Sequence, residues 1–100
     1  MGLFKKKQEF TPMKQLMALH GKRLSYVVER ESGEEKVVGK VGGISVTDEE
    51  IVIVCNGAEV FRGSTKGCVA ATLMSGNGVD IKADSEGKRR HLICYYSSLK

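Results

Sequence analysis

Ile51-Val52-Ile53-Val54-Cys55-Asn56-Gly57-Ala58-Glu59-Val60-Phe61-Arg62 is the stretch on which the reading of this chain turns. Ile51 to Cys55 is an unbroken apolar run of strand length, so both of its faces are expected to be covered. Asn56-Gly57 is the strongest short hairpin signal, because a type I′ turn needs positive φ at both central residues and these two accept it at low cost. A two-residue loop there places Ile53 opposite Val60 and Val52 opposite Phe61. One turn upstream, Asp48-Glu49 reverses the chain and sets Val46 against Ile51 and Ile44 against Ile53. Ile44, Val46, Ile51, Ile53 and Val60 then line one side of three strands. Separate turns that agree on one apolar face argue more strongly than any single propensity.

Further upstream, Ser32-Gly33 is another turn signal. Its register pairs Arg30 with Glu35, Glu29 with Lys36, Val28 with Val37 and Tyr26 with Gly39, and tolerates Glu31 against Glu34 beside the turn. Gly39, Gly42 and Gly43 interrupt the second strand. Glycines inside a strand mark bends or bulges, a device that curls a sheet towards a barrel. Before the meander, Thr11-Pro12 reads as a helix N-cap followed by proline at the first helical position. Met13, Leu16, Met17 and His20 follow at helical spacing and Gly21 suits the C-terminal end, so a short helix is expected over 12–20; a strand alternating through Leu16, Ala18 and His20 is the rival. Beyond the meander, Ser64-Thr65 with Val69, Thr72 and Leu73 suggests a short irregular or helical crossover over 64–75. Val79, Ile81 and Ala83 alternate with Asp80, Lys82 and Asp84, as a half-buried strand does. A loop around Gly87 leads to a last strand from Arg89 to Tyr96, apolar without a break from Leu92. The expected fold is mainly β: a small antiparallel meander or barrel, with its meander over 24–62, a final hairpin over 79–96 and one or two short helices. An open sheet covered by the helical segments is the alternative.

The chain has 100 residues, 41% of them hydrophobic and 28% charged, with a single proline. That suits one small domain and excludes a low-complexity or disordered composition. No run of about 18 apolar residues offers a membrane-spanning helix. The net charge of +4 is uneven. Residues 1–23 carry six basic side chains against Glu9, a local balance of +5, while the remainder is nearly neutral. Residues 1–11 are therefore expected to be a flexible basic lead and 12–100 a single β domain. Cys55, Cys68 and Cys94 are odd in number, widely spaced and set among apolar neighbours. They are expected to be reduced and buried, which points to a cytoplasmic protein. A secretory apolar segment is not seen behind the charged start.

Motifs for chemistry are poor. Gly63-Ser64-Thr65-Lys66-Gly67 holds the ingredients of a phosphate loop in the wrong order. Gly76-Asn77-Gly78 leads into a strand and lacks the third spaced glycine of a dinucleotide site. His20 and His91 stand apart from each other and from the cysteines, so metal-ligand spacing is absent. Cys94 follows His91 by three residues, which on a strand places them on opposite faces. Nothing in these patterns asks for a cofactor, a metal or an enzyme.

Two constellations remain. Lys88, Arg89 and Arg90 with Tyr95 and Tyr96, joined by Tyr26, combine cations with rings as single-stranded nucleic-acid platforms do. Lys5, Lys6 and Lys7, interleaved with Leu3, Phe4 and Phe10, could rest on an anionic membrane surface. The opening Met1–Lys7, the stretch Ile51–Arg62 and the closing Arg90–Tyr96 together resemble small, uncharacterised bacterial single-domain proteins, a likeness that implies no activity. Gly43–Arg62 is similar in architecture to a pleckstrin-homology-like or other small-barrel meander, without that fold's C-terminal helix. The leading functional expectation is a non-enzymatic binding or regulatory module acting through a protein partner or self-association. Weak nucleic-acid binding and peripheral membrane association are the alternatives.

Overall fold

Asn56 and Gly57 adopt φ values of 53° and 78°, and Ser32-Gly33 and Glu86-Gly87 take the same left-handed pair. These turns organise a computed structural model that describes residues 10–97. One short helix, α1 (Met13–Met17), precedes seven strands: β1 (Arg23–Glu31), β2 (Glu34–Val46), β3 (Glu50–Cys55), β4 (Ala58–Ser64), β5 (Val69–Thr72), β6 (Gly78–Ser85) and β7 (Lys88–Tyr96). They form a single antiparallel sheet in the order β4-β3-β2-β1-β7-β6-β5. The expected small antiparallel β domain is thus what the chain forms. The ladder is not closed, and β4 and β5 are its two edges.

Most expected registers are present: Val46–Ile51, Ile44–Ile53, Arg30–Glu35, Glu29–Lys36 and Val28–Val37. Three are corrected by bulges. Ile53 pairs with Phe61, not Val60, and Val52 with Arg62, not Phe61, because the β3–β4 register shifts between Ile53 and Val54. Tyr26 pairs with Lys40, and Val27 takes Gly39. An extra residue in one strand changes which side chain faces inward. At β4 the gain is visible: Phe61 is only 1% exposed, while the smaller Val60 is half-buried. Burying the larger side chain outweighs an unbroken ladder.

The 64–75 segment is also corrected. Val69–Thr72 is strand β5, paired with Val79–Lys82, and not a helix. A few residues flanked by Gly67 and Gly76 cannot nucleate a helix in isolation, and as a strand they satisfy the otherwise open backbone of β6.

Helix α1 starts one residue later than expected and ends three residues earlier, at Met17, with residues 18–21 in turns. Pro12 is its N-cap, with Gln15 N–H and Leu16 N–H donating to the Pro12 carbonyl at 3.0 and 3.1 Å. Thr11 does not cap it. Its Oγ1 accepts from Ala70 N–H at 2.7 Å and donates to Ala70 C=O at 3.2 Å, and its own N–H donates to Cys68 C=O at 2.9 Å. Thr11 therefore belongs to the folded body and seals the outer edge of β5. The β4 edge is turned towards β6, where Ser85 Oγ donates to the Arg62 carbonyl at 2.7 Å. Exposed edges invite pairing with other chains, and both are blunted here by side chains rather than by ladders. Thr11→Val should cost about 1–2 kcal/mol and speed amide exchange at Ala70; urea unfolding and exchange measurements check both.

The curved sheet encloses Leu24, Val27, Ile44, Ile51, Ile53, Phe61, Ile81 and Leu92, with Leu16 and Leu19 of the α1 region packed against them. Cys55, Cys68 and Cys94 are free and buried. Burial pushes the Cys68 thiol up to about 11 and that of Cys94 to about 12, so neither offers a thiolate at neutral pH.

Candidate functional site: the outer face of the sheet

Strand alternation sorts the singled-out residues onto two sides. On β7, Leu92 and Cys94 point into the core. Arg90 and Tyr96 share their side, while Arg89, His91, Ile93 and Tyr95 face outward. The basic and aromatic group expected to act together is therefore divided.

Its cations are also matched by acids from neighbouring strands. Lys88 Nζ lies 3.0 Å from Glu31 Oε2. Arg89 reaches Asp84 Oδ1 at 3.1 Å and the Gly67 carbonyl at 2.9 Å. Arg90 grips Glu29 with two bonds of 2.8 and 2.7 Å and lies over the Phe61 ring, 5.1 Å from its centre. Tyr96 is half-buried, with the Lys22 ammonium 5.3 Å from its ring centre. Lys5, Lys6 and Lys7 lie outside the described residues.

The Arg90 guanidinium, through its hydrogen bonds, holds the Glu29 carboxyl below its ordinary value of 4.5 against an opposing effect of burial, and Lys88 and Lys36 reinforce it. The unfolded chain titrates Glu29 at the ordinary value, so the pair's stabilisation is complete above about 4.5 and disappears as pH falls through the lower folded value. Urea unfolding followed from neutral to acid pH should show this loss, and Glu29→Gln should flatten it.

Elsewhere on the outer side the chain builds something its polar motifs did not announce. Tyr26 and Tyr95 are cross-strand partners, stacked with ring centres 4.6 Å apart and planes 20° apart. Val28 stands between Val37 on β2 and Ile93 on β7 in one cross-strand row. Val28 and Ile93 are buried yet lie apart from the inner core cluster. Val37 remains 50% exposed and Tyr26 36%. The sequence signal for this second apolar side was the pair Val27-Val28 together with the unbroken Leu92–Tyr96 run. Both strands are apolar on consecutive residues, and so on both faces.

Polar groups frame the row. Arg30 Nε donates to Glu35 Oε2 at 2.9 Å. His91 Nε2 and Asp80 Oδ1 are 2.7 Å apart, and Lys40 stands opposite Tyr26. The arrangement is aromatic and aliphatic at its centre and polar at its rim. A cavity of about 560 Å³ lies at the β4–β6 seam. Its carboxylates, Glu49, Glu50, Glu59, Asp84 and Glu86, outnumber Arg62 and Arg90, and Arg62 is already held by Glu50 and Glu59. A phosphate backbone would be repelled there. Among the described residues, no group of three or more His, Cys, Asp or Glu is placed to hold a metal ion. No protein-family model matches the chain, and neither does any curated protein or solved structure, so what the site does must be read from its own geometry.

Proposed function

We propose that this chain is a non-enzymatic binding module that contacts a protein through the outer side of β2, β1 and β7. The observation that carries the reading is the stacked Tyr26–Tyr95 pair beside the Val37–Val28–Ile93 row, on the solvent side of a sheet whose other side already forms the core. A soluble domain gains nothing for its own core from Val37 at half exposure. Contiguous apolar surface with tyrosine and arginine around it is what protein interfaces select. On the same side Arg30 is paired with Glu35 and Arg89 with Asp84, which supports a protein over a polyanion. The blunted β4 and β5 edges favour face contact over strand addition.

A photo-crosslinking residue at Val37 tests this in lysate of the source cell. A discrete adduct is expected from Val37, lost when Tyr26→Ser and Tyr95→Ser are introduced together and not produced from a probe at Asp48. Adducts no different from those of the Asp48 probe, or unaffected by the tyrosine changes, would overturn it.

A further inference from the structure

A second cavity, of about 420 Å³, opens between the α1 region and the β5–β6 hairpin, away from the outer face. Small side chains are part of its lining: Ala18, Ala70 and Thr72, of which Ala70 is half-buried. Leu19 and Val79 supply buried apolar wall. The Tyr96 ring lines it, and Lys22 stands at the same wall with its ammonium over that ring and, among the described residues, no ion pair to a carboxylate. Cavities of this size that combine apolar walls with a few converging polar groups are the usual form of small-ligand sites. One ammonium with no carboxylate partner among the described residues, beside an apolar void, selects a molecule with one negative charge and a hydrocarbon body. A cationic amphiphile meets repulsion there, and a hydrophilic anion leaves the walls unused. Burial raises the Tyr96 phenol, so at neutral pH it stays protonated and able to donate.

We infer that the cavity between α1 and the β5–β6 hairpin binds a monoanionic amphiphile, of which a medium-chain carboxylate is the simplest form, with the chain among Leu19, Ala70 and Val79 and the carboxylate at Lys22. The site is separate from the outer face and does not depend on that reading.

Hexanoate, octanoate and decanoate, each below its micelle concentration, are titrated into the full chain and followed by amide shifts and calorimetry. Saturable shifts are expected at Thr72, Val79 and Tyr96, with affinity rising about fourfold per added methylene. Octylamine should bind at least tenfold more weakly than octanoate. Lys22→Gln should weaken octanoate but leave octanol unchanged. Ala70→Leu should abolish binding of both by filling the space. Ala18→Leu, at an exposed helix-end position, is the second filling variant should Ala70→Leu fail to fold. Absence of saturable shifts at these residues, equal binding of octylamine and octanoate, or affinity indifferent to Lys22 and to both filling changes would each overturn the inference.

Discussion

Phe61→Ala is expected to destabilise the domain by about 3–5 kcal/mol, measured as a fall in the urea midpoint at unchanged slope. Phe61 heads the largest fully buried side chains and is only 1% exposed. Truncation removes its transfer free energy and leaves a void that a curved sheet with paired strands cannot collapse to fill. It also removes the ring under the Arg90 guanidinium, which lies 5.1 Å from the ring centre. Against a total stability of about 5–15 kcal/mol for a domain of this kind, this is a large fraction. A further readout follows from the bulge. If burying Phe61 is what holds the shift between Ile53 and Val54, the variant should populate the unbulged register, with Val60 opposite Ile53. Cross-strand nuclear Overhauser contacts between residues 53 and 60 would report it. A cost under about 1 kcal/mol would mean that the side chain is not the core element its burial implies.

Gly42→Ala should cost about 3 kcal/mol or more, towards or beyond the upper end of overpacking penalties. A Cβ on Gly42 would lie 2.0 Å from the Val54 carbonyl oxygen, 2.7 Å from Cys55 Sγ and 2.9 Å from Cys55 Cα. Two of these are backbone atoms of the paired strand, so β2 and β3 would have to separate rather than one side chain rotate. Gly43 is the internal control. It lies next in sequence and faces the other way, and a Cβ there meets only the Lys22 carbonyl at 3.3 Å. Gly43→Ala should therefore cost at least 2 kcal/mol less than its neighbour. Thermal or urea unfolding of the two variants decides it; equal costs would remove the steric explanation.

The two glycines illustrate how much of the architecture was legible. Glycines in the second strand signalled curvature from sequence. That one of them touches Val54 and the other is nearly open depends on the register with β3 and on where residues 20–22 run beside β2. That course is set by backbone bonds from Gly21 N–H to Ile44 C=O at 2.8 Å and from Ile44 N–H to Lys22 C=O at 3.1 Å, which local pattern does not specify. The basic run tells a similar story. Lys88, Arg89 and Arg90 are plain to read, but Glu31, Asp84 and Glu29 reach them only because β1 and β6 flank β7. A run of cations in a sequence is a statement about charge; whether it is free for a ligand is a statement about register.

The hairpins were decided locally. Ser32-Gly33, Asn56-Gly57 and the turn at Glu86-Gly87 act within a few residues, through backbone sterics and positive φ, and the alternation of Val79, Ile81 and Ala83 needs nothing beyond its own strand. The bulge that turns Phe61 inward, the strand formed by Val69–Thr72, the seal made by Thr11 and the meeting of Tyr26 with Tyr95 were settled by folding in three dimensions. Each depends on groups distant in the chain competing for the same interior volume or the same unpaired backbone. Such competition is resolved by total burial and hydrogen bonding across the sheet, not by the preferences of neighbours in sequence.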